Sequence, residues 1–136
     1  MLIVDAGPLF ASAWRGERDH ERCAHLLQTH PPPLQVPALA AAEAAYLIGA
    51  RLGATAELAL ARAFASGELS LEPIHPADWD RIVTLMEQYV DMPLGMADAS
   101  LIASAERLGA HEIATLDRRH FGAVRPKHVE TFTLLP

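Results

Sequence analysis

At 136 residues the chain is long enough for one domain with its own core, and no apolar run approaches the roughly 20 residues that a bilayer-spanning helix needs. Its 51% hydrophobic and 21% charged residues are ordinary for a folded globular protein. The formal net charge of −6, from 17 acids against 11 Lys and Arg, excludes a protein that holds nucleic acid by bulk positive charge; it does not exclude a nuclease, because bound divalent cations reverse the local field.

In chain order, Leu2 to Val4 is a short apolar run that reads as a buried strand ending at Asp5. "MLIVDAGP" has no basic region before its apolar residues, unlike a secretion signal. Gly7 and Pro8 mark a turn, and a short helix is expected over Pro8 to Trp14. After a polar loop at Arg15 to Arg18, Asp19 can cap a helix running to about Thr29. That helix holds Cys23, the only cysteine, spaced from Leu26 and Leu27 like a packed small side chain. A single cysteine rules out an internal disulfide and suits a reducing, cytoplasmic compartment. Leu34 to Val36 reads as a second strand, followed by helices over Ala38 to Leu52 and Ala54 to Ser66, each closed by a glycine. Leu69 to Ile74 reads as a third strand weakened by Pro73, and Pro76 as the opening of a helix reaching about Tyr89. "VDMPLGM" links to a helix that Gly109 closes, Ile113 to Leu116 is a fourth strand ending at Asp117, and Thr131 to Leu135 is the last. Strands alternating with one or two helices predict a single α/β domain over residues 1–136, with a mostly parallel sheet and helices on both faces. In such sheets, ligands bind outside the carboxyl ends of the strands.

Four carboxylates stand in unusual places. Asp98 lies three and four residues before Leu101 and Ile102, on the apolar stripe of its helix. Glu43 lies four residues from both Leu39 and Leu47, and the expected inward face of its helix is Leu39, Tyr46, Leu47 and Ala50. Asp5 and Asp117 share a pattern in "LIVDAG" and "IATLDRR": an apolar strand, an Asp, then a turn. Buried carboxylates need hydrogen bonds, a cation or a proton. Each has a local reading too: Asp5 and Asp117 as turn formers, Asp98 as a helix N-terminal acid, Glu43 as a residue of a partly exposed helix. One shared site accounts for all four. Hard oxygen donors without cysteine suit Mg²⁺ or Mn²⁺, and the seven histidines show no zinc-like spacing. Such ions activate water and stabilise a leaving oxygen without a protein nucleophile. "RRHFGAVRPKH" contains no acid; it reads as a solvated loop, or as phosphate contacts through Arg118 and Arg119 with Arg125 and Lys127 nearby.

On "MLIVDAGPL", Glu43 in "PALAAAEAAYL", Asp98 in "GMADASLIASAERLG" and "IATLDRRHF" followed by "VRP", the chain resembles PIN-domain ribonucleases, specifically VapC-type toxins of type II toxin–antitoxin systems. The resemblance covers essentially the whole chain. It implies a three-layer α/β/α sandwich and Mg²⁺- or Mn²⁺-dependent endoribonuclease activity on RNA. Asp5, Glu43, Asp98 and Asp117 match the family's acidic positions, and Thr115 corresponds to a hydroxyl residue often near that site. A VapB-type antitoxin partner and a homodimer are implied as well, with no membrane association. Ala6 and Gly7 stand where many relatives carry Ser or Thr, and His120 where some carry an acid; His120 reads as a solvated loop residue.

Two other readings compete. A phosphatase or receiver-like domain would need another Asp two residues after the first, where Gly7 stands, or an acid pair at the first strand. A non-catalytic module would bind RNA or protein only, and Leu9, Phe10, Trp14, Leu26, Leu27, Leu58 and Leu60 would line its groove, although most read better as core.

Overall fold

The structure, a computed structural model, describes residues 1–136. Its elements are β1 (Leu2–Val4), α1 (Ala6–Ala13), α2 (His20–Thr29), β2 (Leu34–Pro37), α3 (Ala38–Leu52), α4 (Ala54–Ser66), β3 (Ser70–Glu72), α5 (Asp78–Gln88), α6 (Met96–Leu108), β4 (Glu112–Ala114), α7 (Arg118–Ala123) and β5 (Thr133–Leu135). The sheet runs β3-β2-β1-β4-β5, and every adjacent pair is parallel. The expected mostly parallel sheet is therefore wholly parallel, because every crossover carries at least one helix.

β1 is the centre of the domain. It pairs through Leu2 with Leu34 of β2 on one side and with Glu112 of β4 on the other. Leu2, Ile3 and Val4 are all 0% exposed, which a strand achieves only when both faces and both edges are covered. Side chains alternate along it. Leu2 and Val4 join a core with Leu9, Leu34, Val36, Ala40 and Ala44 under α1 to α4. Ile3 joins the other core with Leu85, Leu101, Ile102, Ile113 and Phe121 under α5 to α7. Burying each such aliphatic side chain contributes roughly 1.5–3 kcal/mol. In α6 the residues from Ala99 to Ala105 are buried without a break. Five of these seven are Ala or Ser, which lets the helix be enclosed on every side.

Several boundaries differ from expectation. α1 begins at Ala6, two residues early, because the Asp5 side chain accepts from the Ala6 amide at 2.8 Å; Pro8 then sits in the first turn, where its missing N–H costs nothing. α5 starts at Asp78 and ends at Gln88 rather than running from Pro76 to Tyr89. Residues 118–123 are a helix, not a turn or loop, with Phe121 buried beneath it. The inward face of α3 is Ala40, Ala41, Ala44 and Ile48, not Leu39, Tyr46, Leu47 and Ala50; Tyr46 is 74% exposed. Close packing selected the alanines over the bulkier residues. No helix is long and apolar enough to cross a membrane.

An ion network ties β3, α5 and α6 together. Arg107 donates through Nε to Asp78 Oδ1 at 3.0 Å, and its Nη2 lies 2.8 Å from Glu72 Oε1. Arg81 grips Glu106 with two hydrogen bonds of 2.8 Å. Burial pushes the Asp78 and Glu106 carboxyls up, but Arg107 and Arg81 outweigh it and hold both below their ordinary range.

Candidate active site

The strand order reverses between β1 and β4: the chain leaves β1 toward β2 and leaves β4 toward β5. A crevice opens at the carboxyl ends of strands at such a switch point. Asp5 follows β1 and Asp117 lies three residues beyond β4, so both carboxylates emerge there. The Asp5 amide donates to the Ala114 carbonyl at 2.9 Å, fixing the two strand ends together. α3 and α6 also start at this rim, and they bring Glu43 and Asp98.

All four acids line one open cleft of about 430 Å³, together with Ala6, Gly7 and Leu116. The convergence expected from separate segments is present. The reason expected for Glu43 is not: Glu43 is exposed and belongs to the wall of the cleft, not to an apolar stripe. Asp98, in the first turn of α6, is half-buried beside the fully buried Ala99 to Ala105, in keeping with its place on the inward stripe. The carboxylates do not close into a cage, for no three Asp, Glu, His or Cys side chains stand close enough to hold one ion among themselves.

Two residues orient the acids. Thr115 is 1% exposed, and its hydroxyl donates to Asp5 Oδ2 at 2.8 Å while accepting from the Asp117 amide at 3.0 Å. The Thr115 hydroxyl therefore couples the first acid to the last. Asp117 caps α7 by accepting from the His120 amide at 3.0 Å, and the His120 ring nitrogen Nδ1 lies 2.6 Å from Asp117 Oδ2. His120 is thus part of the site and not a solvated loop residue. Its signal was the spacing: an Asp at a helix cap with a polar side chain three residues on can hydrogen-bond reciprocally. Arg118 and Arg119 stand in the first turn of α7, outside the cleft lining; Arg118 donates to the Pro136 carbonyl at 2.5 Å, and Arg119 is exposed.

The electrostatics are unbalanced. Burial pushes the Asp5 carboxyl up to about 6, the charges of Asp98 and Glu43 push the same way, and the hydrogen bonds from Thr115 and Ala6 only partly offset them. Asp98 is also raised, first by burial and then by the charge of Asp117, against the Gly95 backbone and His120. No Lys or Arg lines the cleft. An all-oxygen donor set short of positive charge fits a hard divalent cation.

A parallel α/β/α sandwich with carboxylates gathered at its switch point defines the class, and the sequence agrees. The PIN domain family matches residues 2–125, so the chain belongs to the PIN-domain family. Within it, the chain is 34% identical to Ribonuclease VapC26 of Mycobacterium tuberculosis over 135 residues, covering 99% of this chain and 100% of that protein. Among solved structures, VapC20 of Mycobacterium tuberculosis, described as a sarcin–ricin loop cleaving toxin, matches with a TM-score of 0.84 at 19% identity, over 96% of this chain and 99% of that one. A toxin–antitoxin complex from Klebsiella pneumoniae matches with a TM-score of 0.68 at 19% identity, over 95% and 100%. FitAcB from Neisseria gonorrhoeae matches with a TM-score of 0.67 at 16% identity, over 100% and 97%. These structural likenesses establish the three-layer fold.

Proposed function

We propose that the chain is an Mg²⁺- or Mn²⁺-dependent endoribonuclease acting as the toxin of a toxin–antitoxin pair. The observation that carries this reading is the single cleft in which Asp5, Glu43, Asp98 and Asp117 meet without a basic residue. Ribonuclease VapC26, similar along its entire length, supports the substrate class. The four acids are the residues that would hold the cation. When bound, such an ion supplies Lewis-acid stabilisation of the phosphodiester and lowers the pKa of the attacking water.

The chain's own side chains supply position. Thr115 holds Asp5, and His120 holds Asp117, in fixed orientations. The cleft lining has no Ser, Thr, Cys, Lys or His; in this reading its carboxylates would hold the cation and water would be the attacking group. Arg118 and Arg119, on the α7 turn beside Asp117, would hold phosphates of the RNA in this reading. A VapB-type antitoxin partner and a homodimer complete the reading, in line with the toxin–antitoxin complex among the structural matches; light scattering of the purified chain, alone and co-expressed with the product of the adjacent gene, tests both.

The deciding experiment is cleavage of a defined RNA panel with Mg²⁺, with Mn²⁺ and with EDTA, using the wild type and Asp98→Asn. Cleavage that EDTA and Asp98→Asn both abolish is the expected result. Full activity of Asp98→Asn, or activity indifferent to EDTA, defeats the assignment.

A further inference from the structure

A second pocket lies on the α1–α3 surface. Phe10, Trp14, Arg51 and Leu52 line an open hollow of about 180 Å³. The guanidinium carbon of Arg51 stands 5.8 Å from the centre of the Phe10 ring. The Phe10 and Trp14 rings are 5.9 Å apart and tilted by 58°. Trp14 is 42% exposed, and its indole lies over Gly16, where an added Cβ would come within 2.8 Å of Nε1. Arg51 is exposed and forms no ion pair with any carboxylate. A packed aromatic with a bare face, beside an unpaired guanidinium, has the chemistry that takes a base and its phosphate.

The helices connect this hollow to the acidic cleft. α1 and α3 both leave the carboxyl edge of the sheet and pack side by side. Ala6 and Glu43 line the cleft, while Trp14 and Arg51 line the hollow. Trp14 is eight residues beyond Ala6, and Arg51 is eight beyond Glu43. On α3 the step from Glu43 to Arg51 covers about 12 Å; on α1 the helix ends at Ala13, and Trp14 follows it in extended conformation. The two helices thus form a lane that starts at the carboxylates and ends at the indole.

We propose that this lane seats single-stranded RNA flanking the cut, with a base stacked on Trp14 and the adjoining phosphate held by Arg51. The inference rests on the ribonuclease reading above and gives it a substrate-binding site outside the acids. It also gives a chain of net charge −6 a local foothold on RNA: stacking tolerates any base, and Arg51 supplies the positive charge. A base inside a duplex has no free face for the indole, so the lane selects unpaired RNA.

The chain has two tryptophans, so Trp79→Phe leaves Trp14 as the only indole. This full-length variant is titrated in EDTA with short oligouridylate and oligoadenylate. Saturable quenching of Trp14 fluorescence, weakening as salt rises, is the expected result. Trp14→Ala and Arg51→Gln, each checked for an unchanged melting curve, should each lower oligonucleotide affinity on the order of tenfold. Absence of quenching, or both variants binding and cleaving RNA like the parent, overturns the inference. A Trp14 that responds only to a protein partner overturns it likewise. Quenching by a parent protein that cleaves nothing in Mg²⁺ leaves the lane standing and removes the ribonuclease reading instead.

Discussion

The domain contains two clusters of carboxylates, and they are built on opposite plans. Around β3, α5 and α6, Glu72, Asp78 and Glu106 each meet an arginine within 2.8–3.0 Å. At the carboxyl edge, Asp5, Glu43, Asp98 and Asp117 meet none, and Asp5 is pushed up to about 6. Asp78 and Glu106 are shifted down and Asp98 up, although burial pushes all three the same way. Burial alone therefore does not distinguish a structural acid from a functional one; the missing counter-charge does. The arginine-matched cluster fastens elements together, whereas the unmatched cluster has no counter-charge from the chain, which is why it is proposed above to take a cation.

The contrast can be broken most sharply by exchanging which cluster is damaged. Asp98→Asn should lower RNA cleavage by about a thousandfold, more than the 10–100-fold typical of residues that only support a metal ligand, with the melting temperature kept or raised. Arg107→Ala should do the reverse. It strands Asp78 and Glu72 without a counter-charge and should cost about 3 kcal/mol in chemical denaturation, with cleavage per folded molecule unchanged. If each variant harms the other property, the division of roles is wrong.

Smaller effects sharpen the picture. Thr115→Val keeps shape and removes the hydroxyl between Asp5 and Asp117; cleavage should fall roughly tenfold with little loss of secondary structure by circular dichroism. Mg²⁺ or Mn²⁺ should raise the melting temperature of the wild type by a few degrees, and Asp98→Asn should blunt that rise. Protonation of Asp5 gives the mildest signature. Its carboxyl is raised in the folded state, so its contribution is complete below about pH 4 and is lost as pH climbs through about 6. With the cleft open to water, this amounts to about 1–2 kcal/mol. In EDTA, Asp5→Asn should flatten the fall in stability between those pH values; an unchanged slope places the titration elsewhere.

Much of this arrangement was readable before any coordinates. The apolar run Leu2–Val4, the glycines that close α3, α4 and α6, and the acids at strand ends carry strong local signals, and those three glycines do adopt positive φ. What was not readable depended on neighbours. In α3, periodicity gives weight to large residues such as Tyr46 and Leu47, but the space available admits only Ala40, Ala41 and Ala44 beside Ile48. Glu43 lines the cleft from the exposed side of α3, not from the apolar face that the periodicity predicts. α7 has the composition of a charged loop; it is helical because Asp117 caps it and Phe121 and Val124 are buried. His120 was invisible for the same reason, since its partner matters only once the cap exists.

The hydrogen bond from Thr115 to Asp5 joins residues 110 positions apart, and β1 has no partner on that side until residues 112–114 arrive. A ribosome making this chain therefore has no complete set of the four acids until Asp117 has been added. The acids encoded first wait for those encoded last, and prematurely terminated fragments lack the completed centre. For a protein whose proposed target is RNA, this order of assembly leaves the proposed site incomplete until the segment around Thr115 and Asp117 has joined the fold.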